Sequence, residues 1–195
     1  MAKFTDVISG LTESTDPQGD SDYLVGYDGS AVVKYLINNL PFATGSSIDY
    51  ILLQDQKAQN TAGGTAASPG WQTHVLNTEV IDTGNNASLS SNQITLAAGT
   101  YVASGWMRAY KCAYVGWKLY NISDSGDLTT PVFCFVDTSD DSEYPVPLEG
   151  YFTIAAEKTI DAEYQCSTAR SDYGLGNPSN LGTEIYLSLW LTKVA

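Results

Sequence analysis

The chain has 195 residues, enough for one globular domain and a small additional unit, and its formal net charge is −13. So strong a negative charge repels nucleic-acid phosphates, which argues against nucleic-acid binding. Apolar residues make up 43% of the chain and charged residues only 16%, a composition typical of a folded protein rather than a disordered one.

The first 42 residues contain two β-rich runs, Tyr23 to Tyr27 and Ala31 to Ile37, on either side of Asp28-Gly29. Asp-Gly between apolar runs is a strong hairpin signal, because both turn positions need positive φ. A lone hairpin is marginally stable in water, so it must pack on a larger scaffold or on its own copies. Small residues then predict a short linker over residues 43–48.

From residue 49 onward, strand-forming segments follow one another with turn signals about every ten residues. No segment of useful length has the period of a helix. The segments predicted as strands are DYILLQDQ, WQTHVLN, NQITLAAG, TYVASGWMRAY, AYVGWKLYNIS, TPVFCFVD, LEGYFTIAA, KTIDAEYQCST and TEIYLSLWLTKV. This pattern predicts an all-β fold, with residues 49–195 forming an antiparallel sandwich.

Strict alternation assigns the two faces of several strands. In KTIDAEYQCST, Ile160, Ala162 and Tyr164 share one face, while Asp161 and Glu163 share the other. Alternating acidic residues are the usual way to keep the outer face of a strand soluble. We therefore expect these two carboxylates to be exposed.

The last strand is apolar on both faces. Ile185, Leu187 and Leu189 point one way, while Tyr186 and Trp190 point the other. Aromatic side chains are costly to leave in water, so we expect the first face inside the sandwich and the second against a neighbouring subunit, with Tyr186 and Trp190 as contacts. The alternative is that a loop of the same chain covers Trp190.

Two polar segments are candidates for function. The acidic run at residues 137–143 reads as a solvated loop, or alternatively as a calcium loop, although it lacks EF-hand spacing. The segment STARSDYGLGNPSNLGT predicts a long binding loop just before the last strand, with a disordered connection as the alternative. The candidate ligand-binding residues, all expected in loops, are Tyr144, Tyr173 and Asn177.

The sequence offers little for catalysis. The single histidine, His74, lies in an alternating segment, as structural histidines often do, and no G-x-S-x-G motif is present. Three cysteines without paired spacing (Cys112, Cys134 and Cys166) argue against a disulfide framework or a zinc site and predict buried free thiols made in a reducing cytoplasm. We expect no enzyme activity, cofactor or metal; a carboxylate pair that cleaves glycans is the least favoured hypothesis.

The amino terminus, MAKFTDVISG, has no long apolar segment of the kind that a secretory signal carries. No run approaches the roughly 18 apolar residues that a membrane-spanning helix needs. We therefore expect neither secretion by such a signal nor membrane insertion.

Several stretches of residues 50–195 resemble the carboxy-terminal domain of tailed-bacteriophage fibre proteins. They are ILLQDQKAQNTAGGT, WQTHVLNTEVIDTGNNASLSSNQITLAAGTYVASGWMRAY and GTEIYLSLWLTKVA. That phage domain is similar to the jelly roll of the tumour necrosis factor and complement globular-head superfamily, whose members are trimers. The resemblance implies a homotrimeric jelly-roll head.

The segment LTESTDPQGDSDYLVGYDGSAVVKYLINNL resembles the short amino-terminal anchor by which phage fibres and spikes dock to the virion. It implies that residues 1–42 attach the chain to the particle. The hairpin residues expected to do so are Tyr23, Leu24, Val25, Val32, Val33 and Tyr35. Fibres usually carry a long shaft between anchor and head, whereas the linker here is short.

The expected function is that of a virion structural protein, assembled in the host bacterial cytoplasm. As a short homotrimeric fibre or spike, it would bind a capsid or tail protein through its anchor, and a host-surface glycan or protein through its head. The short linker leaves a second hypothesis open, a capsid-decorating or head-fibre protein that stabilises the shell by bridging capsomers.

Overall fold

The chain divides into two units, Met1–Gly45 and Ser46–Ala195. A computed structural model describes residues 23–27, 32–36, 48–139 and 141–194. No helix in these ranges is long and apolar enough to cross a membrane.

In the first unit, strand β1 (Tyr23–Tyr27) pairs antiparallel with strand β2 (Val32–Leu36). Tyr23 lies opposite Leu36, so the two runs are in full register. The predicted pairing of these runs is confirmed. The Asp28-Gly29 turn, the rest of the predicted anchor and linker residues 43–47 lie outside the described residues.

The second unit is a sandwich of strands. In chain order they are β3 (Asp49–Lys57), β4 (Gln72–Thr73), β5 (Thr78–Asp82), β6 (Ala87–Ser90), β7 (Gln93–Leu96), β8 (Gly99–Tyr110), β9 (Ala113–Asn121), β10 (Gly126–Asp127), β11 (Cys134–Val136), β12 (Glu143–Ile154), β13 (Lys158–Cys166) and β14 (Glu184–Lys193). Sheet one has the order β10-β9-β13-β7-β6, with β11 also paired to β9 and β4 to β13; sheet two has the order β12-β8-β14-β3-β5. The pairings are antiparallel, as predicted.

Alternate residues of both sheets fill the space between them. On β13 the predicted inner residues Ile160, Ala162 and Tyr164 are buried. The fully buried Trp117 of β9 donates its indole N–H to the carbonyl of Val146 on β12 at 2.8 Å. This hydrogen bond joins the two sheets and satisfies the one polar group of the indole.

The strands differ from prediction at several places. Strands β5, β6 and β10 were not predicted, and WQTHVLN forms a strand only over Gln72–Thr73. TPVFCFVD likewise forms a strand only over Cys134–Val136, while β12 begins earlier than predicted, at Glu143. Tyr144 therefore lies in a strand, and its predicted place in a loop is wrong.

Asp161 was expected to be exposed, and that prediction is wrong. Its side chain is buried and its Oδ2 accepts a hydrogen bond from the Thr73 hydroxyl at 2.7 Å. Its neighbour Glu163 lies 3.4 Å from the ammonium of Lys118, which in turn lies over the ring of Trp71, 4.3 Å from its centroid. The side chains of Thr73 and Trp71 thus contact this part of the outer face, which alternation along β13 alone does not reveal.

Candidate functional site

The predicted ligand-binding residues lie near the junction of β8 and β12, but they do not share one surface. Tyr144 lines a cavity there. Asn177 lies near the same place, where its backbone N–H acts to lower the pKa of Glu143. Tyr173 is exposed in the loop before β14, and it is not among the residues that line the cavity.

The cavity opens on sheet two and has a volume of about 490 Å³. Trp106 and Arg108 are alternate residues of β8 that point away from the core, because Met107 between them is fully buried. Across the pairing with β12, Pro145 lies opposite Arg108. The complete lining is Trp106, Arg108, Glu143, Tyr144 and Pro145.

Arg108 is held in place by a buried tyrosine. Its guanidinium lies 5.6 Å from the centroid of the Tyr186 ring, and the ammonium of Lys57 lies 5.2 Å from the same centroid. The phenol of Tyr186 donates to the carbonyl of Thr61 at 2.7 Å. Burial raises the pKa of Tyr186, so this phenol keeps its proton at neutral pH. The ring thus gives both cations a fixed aromatic face.

Glu143 contributes a carboxylate to the cavity lining. Its Oε1 lies 3.6 Å from Nη1 of Arg108, which is an ion pair but too long for a good hydrogen bond. This oxygen is buried and has no hydrogen-bond partner among the described residues. Burial raises the pKa of Glu143, while Arg108 and the N–H of Asn177 act in the opposite direction. Oε1 of Glu143 is therefore enclosed beside Arg108, and only the exposed parts of the two side chains can meet a ligand.

The loop before β14 is fixed by Glu184. Its carboxylate accepts the backbone N–H and the hydroxyl of Ser179, both at 2.9 Å, and the N–H of Asn180 at 2.8 Å. The bond from the Ser179 N–H is the main reason that the pKa of Glu184 is lowered. Gly176 packs this loop closely on Tyr186, since a Cβ there would stand well inside 3.0 Å of the Tyr186 ring. The loop therefore packs beside the cavity without lining it.

The two predicted subunit-contact residues have different environments. Tyr186 is fully buried by its own chain and offers no surface to a partner. A β-bulge between Ile185 and Leu187 interrupts the alternation at this point, which the sequence pattern did not predict. Trp190 keeps 39% of its surface exposed, opposite Ser104 of β8. Of the pair, only Trp190 remains a candidate contact.

Two groups of exposed apolar side chains lie on opposite sheets. The sheet-two patch consists of Tyr50, Ile81, Val102, Tyr151 and Trp190. The β11 patch consists of Tyr114, Val132, Phe133 and Phe135. Tyr114 and Phe135 are opposite residues of β9 and β11, with ring centroids 5.3 Å apart. Phe133 lies across β9 where Gly116 leaves room, since a Cβ on Gly116 would be 2.9 Å from its ring.

The sandwich is similar to solved structures. Murine APRIL at pH 5.0 is 10% identical to this chain, with 75% of this chain and 99% of that chain covered and a TM-score of 0.50. The globular domain of the zebrafish complement 1qA protein is 11% identical, with 76% of this chain and 96% of that chain covered and a TM-score of 0.47. The predicted jelly-roll fold is confirmed. No protein-family model and no curated protein sequence matches the chain.

The residues considered for catalysis sit in the jelly-roll interior or beside it. His74 is buried, its Nδ1 lies 3.0 Å from the Val75 carbonyl oxygen, and burial lowers its pKa. It is therefore a neutral core residue at pH 7. All three cysteines have free thiols; Cys112 and Cys166 are buried as predicted, whereas Cys134 is half-buried.

The described carboxylates of the acidic run at residues 137–143 have separate partners, and Asp140 lies outside the described residues. Asp137 accepts hydrogen bonds from the N–H and hydroxyl of Ser139, and Asp141 accepts from Lys111 and Tyr110. Glu143 lies in the cavity instead. Within the described ranges, no group of three or more acidic, histidine or cysteine side chains is arranged to hold a metal ion.

Proposed function

We propose that this chain is a structural protein of a tailed-bacteriophage virion, a short homotrimeric fibre or spike whose jelly roll adheres to the host surface. The observation that carries the proposal is the pair of exposed apolar patches on a jelly-roll sandwich. The resemblance of residues 50–195 to phage fibre heads, and of residues 1–42 to phage anchors, supplies the virion context. In this proposal the protein is not an enzyme.

The two patches favour a closed ring of copies. Exposed apolar clusters mark interaction surfaces, and these two lie on different sheets of one chain. A contact between unlike patches is heterologous, and it closes into a ring when the rotation allows it. Such a ring, with three members, covers the Trp190 and Phe135 side chains of every copy.

Light scattering on the purified chain tests the trimer. At micromolar concentration we expect a mass near 63 kDa, three times the 21.0 kDa of one chain. Trp190→Ser and Phe135→Ser should each give monomers, whereas Leu181→Ser, at an exposed apolar side chain outside both patches, should remain trimeric. A 1:1 mixture of the first two variants retains one intact heterologous interface and should form dimers. A monomeric parent chain would refute the trimer.

The position of the protein on intact particles tests the virion role. Gold-labelled antibody at the tail tip would support an adhesin, and label on particles should disappear when residues 1–42 are deleted. Absence of label from purified particles would refute the virion proposal. Weak binding by each head would be multiplied across the copies of a trimer and across the particle.

A capsid-decorating or head-fibre role is the second candidate. The observation that favours it is the short connection, since only residues 37–48 separate the end of β2 from the start of β3. A short connection between anchor and head suits a protein that binds and stabilises the assembled shell. Particles lacking the protein should then release their genome at a lower temperature or under milder osmotic shock. Unchanged particle stability would exclude this role.

A further inference from the structure

The cavity on sheet two has the features of a small-ligand site. We propose that it binds a neutral saccharide. This inference rests on the adhesion role proposed above, because it names the class of ligand that the head would recognise. Its residues are Trp106, Arg108, Glu143, Tyr144 and Pro145.

The walls and size of the cavity suit a sugar ring. Its volume of about 490 Å³ falls within the range of roughly 300–1,000 Å³ that is usual for small-molecule sites. Trp106, Tyr144 and Pro145 line it with flat, largely apolar rings. The face of an aromatic ring carries partial negative charge, so the weakly positive C–H bonds on one side of a sugar pack well against it.

The polar groups of the cavity suit a ligand that carries hydroxyl groups. Arg108 and Glu143 both line the cavity, and the Glu143 side chain keeps 21% of its surface exposed. The guanidinium of Arg108 lies beside the Glu143 carboxylate, with Nη1 3.6 Å from Oε1. A hydroxyl both donates and accepts, so two neighbouring sugar hydroxyls can donate to Glu143 and accept from Arg108 at once.

Charge favours a neutral ligand over an ionised one. Arg108 and Glu143 already compensate each other, so the cavity does not need a counter-ion. An anion would have to approach Glu143 and a chain of net charge −13. A cation would meet Arg108, whose guanidinium already shares the Tyr186 ring with the ammonium of Lys57. Acidic and amino sugars are therefore expected to bind less well than neutral ones.

The cavity lies beside the proposed trimer contact on sheet two. Trp190 of the sheet-two patch is opposite Ser104 of β8, two residues from Trp106 of the cavity lining. Val102, also in the patch, precedes Arg108 by six residues, roughly 20 Å at about 3.3 Å per residue. A second copy seated on the patch would therefore approach the cavity at its Trp106 side, and the Arg108 side lies farther away.

Saturation-transfer NMR on the full chain tests the inference. The probes are the methyl glycosides of glucose, galactose, mannose and N-acetylglucosamine, with glucuronic acid and glucosamine as charged counterparts. We expect at least one neutral glycoside to bind with a millimolar dissociation constant and to bind more tightly than both charged sugars. Tyr144→Ala should weaken that binding, because it removes one wall.

Glu143→Gln and Glu149→Gln form a matched pair. Both residues lie on β12 and both changes remove one negative charge, but Glu149 is exposed and outside the cavity lining. Glu143→Gln should weaken glycoside binding about five- to tenfold, since a charged acceptor is exchanged for a neutral one, while Glu149→Gln should leave it unchanged. Thermal unfolding of both variants shows whether each is folded.

Three results would overturn the inference: no neutral glycoside bound at tens of millimolar, tighter binding of a charged sugar, or equal affinities in the two glutamine variants. If the gold-labelled antibody marks virions but no glycoside binds, the saccharide site is refuted and the virion role is not. If a glycoside binds but the protein is absent from virions, the virion role is refuted and the saccharide site is not.

Discussion

Gly105 lies at the centre of sheet two, on β8 opposite Leu189 of β14. A Cβ added there would stand well inside 3.0 Å of the Ser188 carbonyl oxygen, and 3.1 Å from Cη2 of Trp117. Ser188 is held in the β8–β14 ladder, and the Trp117 indole is fixed by its hydrogen bond to Val146. A shift of Ser188 would disturb the β8–β14 ladder within sheet two, and a shift of Trp117 would break its hydrogen bond between the two sheets.

Gly105→Ala is therefore expected to lower the free energy of unfolding by about 3 kcal/mol. Overpacking a core costs roughly 1–3 kcal/mol, and a displaced backbone hydrogen bond adds about 1 kcal/mol. That is a large part of the roughly 5–15 kcal/mol by which folded domains are stable. Urea unfolding at one fixed protein concentration measures the loss.

Gly126→Ala is the matched control for Gly105→Ala. A Cβ at Gly126 meets no atom within 4 Å, so this change should stay within about 0.5 kcal/mol of the parent chain. Indistinguishable unfolding curves for the two variants would refute the packing explanation for Gly105.

Three further predictions concern charged groups. Burial lowers the pKa of His74, so the folded state is most stable above about pH 6.5, where the imidazole is neutral in both the folded and the unfolded chain. As the pH falls below that value, the free energy of unfolding should drop by up to about 1.4 kcal/mol per pH unit. Urea unfolding at several pH values measures this slope, and His74→Gln should reduce it. Glu184→Gln weakens the bonds that fix the loop, so amide exchange at Ser179 should accelerate in NMR measurements, and unchanged exchange would contradict the role given to Glu184. Lys118→Met removes the cation that lowers the pKa of Glu163, so an NMR titration of this carboxylate should move to higher pH, whereas an unmoved titration would show that the ion pair is ineffective.

Period-two alternation predicted those strands that bury one face. The inner residues of β13 are an example, since Ile160, Ala162 and Tyr164 alternate with polar residues and are buried. Strands β5 and β6 were not predicted because they bury few side chains. Their segments, TEVID and ASLS, have no fully buried residue. A strand that buries little shows no apolar alternation, so edge strands of this kind leave no local signal.

The candidate site was predicted only in part, because the register between strands creates it. Tyr144 was named from the sequence, but Trp106, Arg108 and Glu143 were not, since each is ordinary on its own strand. The pairing of β8 with β12 brings them together, and local sequence does not encode that pairing. One signal was present: GWMRAY places an aromatic residue and a cation on the outer face of a strand, where small polar residues are more usual.

The loop fastened by Glu184 ends in an exposed tip. Leu181 is 91% exposed, and a Cβ on Gly182 would meet nothing within 4 Å. The hydrogen bonds to Ser179 and Asn180 lie before this tip, and β14 begins after it. A foreign peptide inserted between Leu181 and Gly182 would therefore leave the fold intact, which makes the tip a natural place for displaying an epitope or an affinity tag.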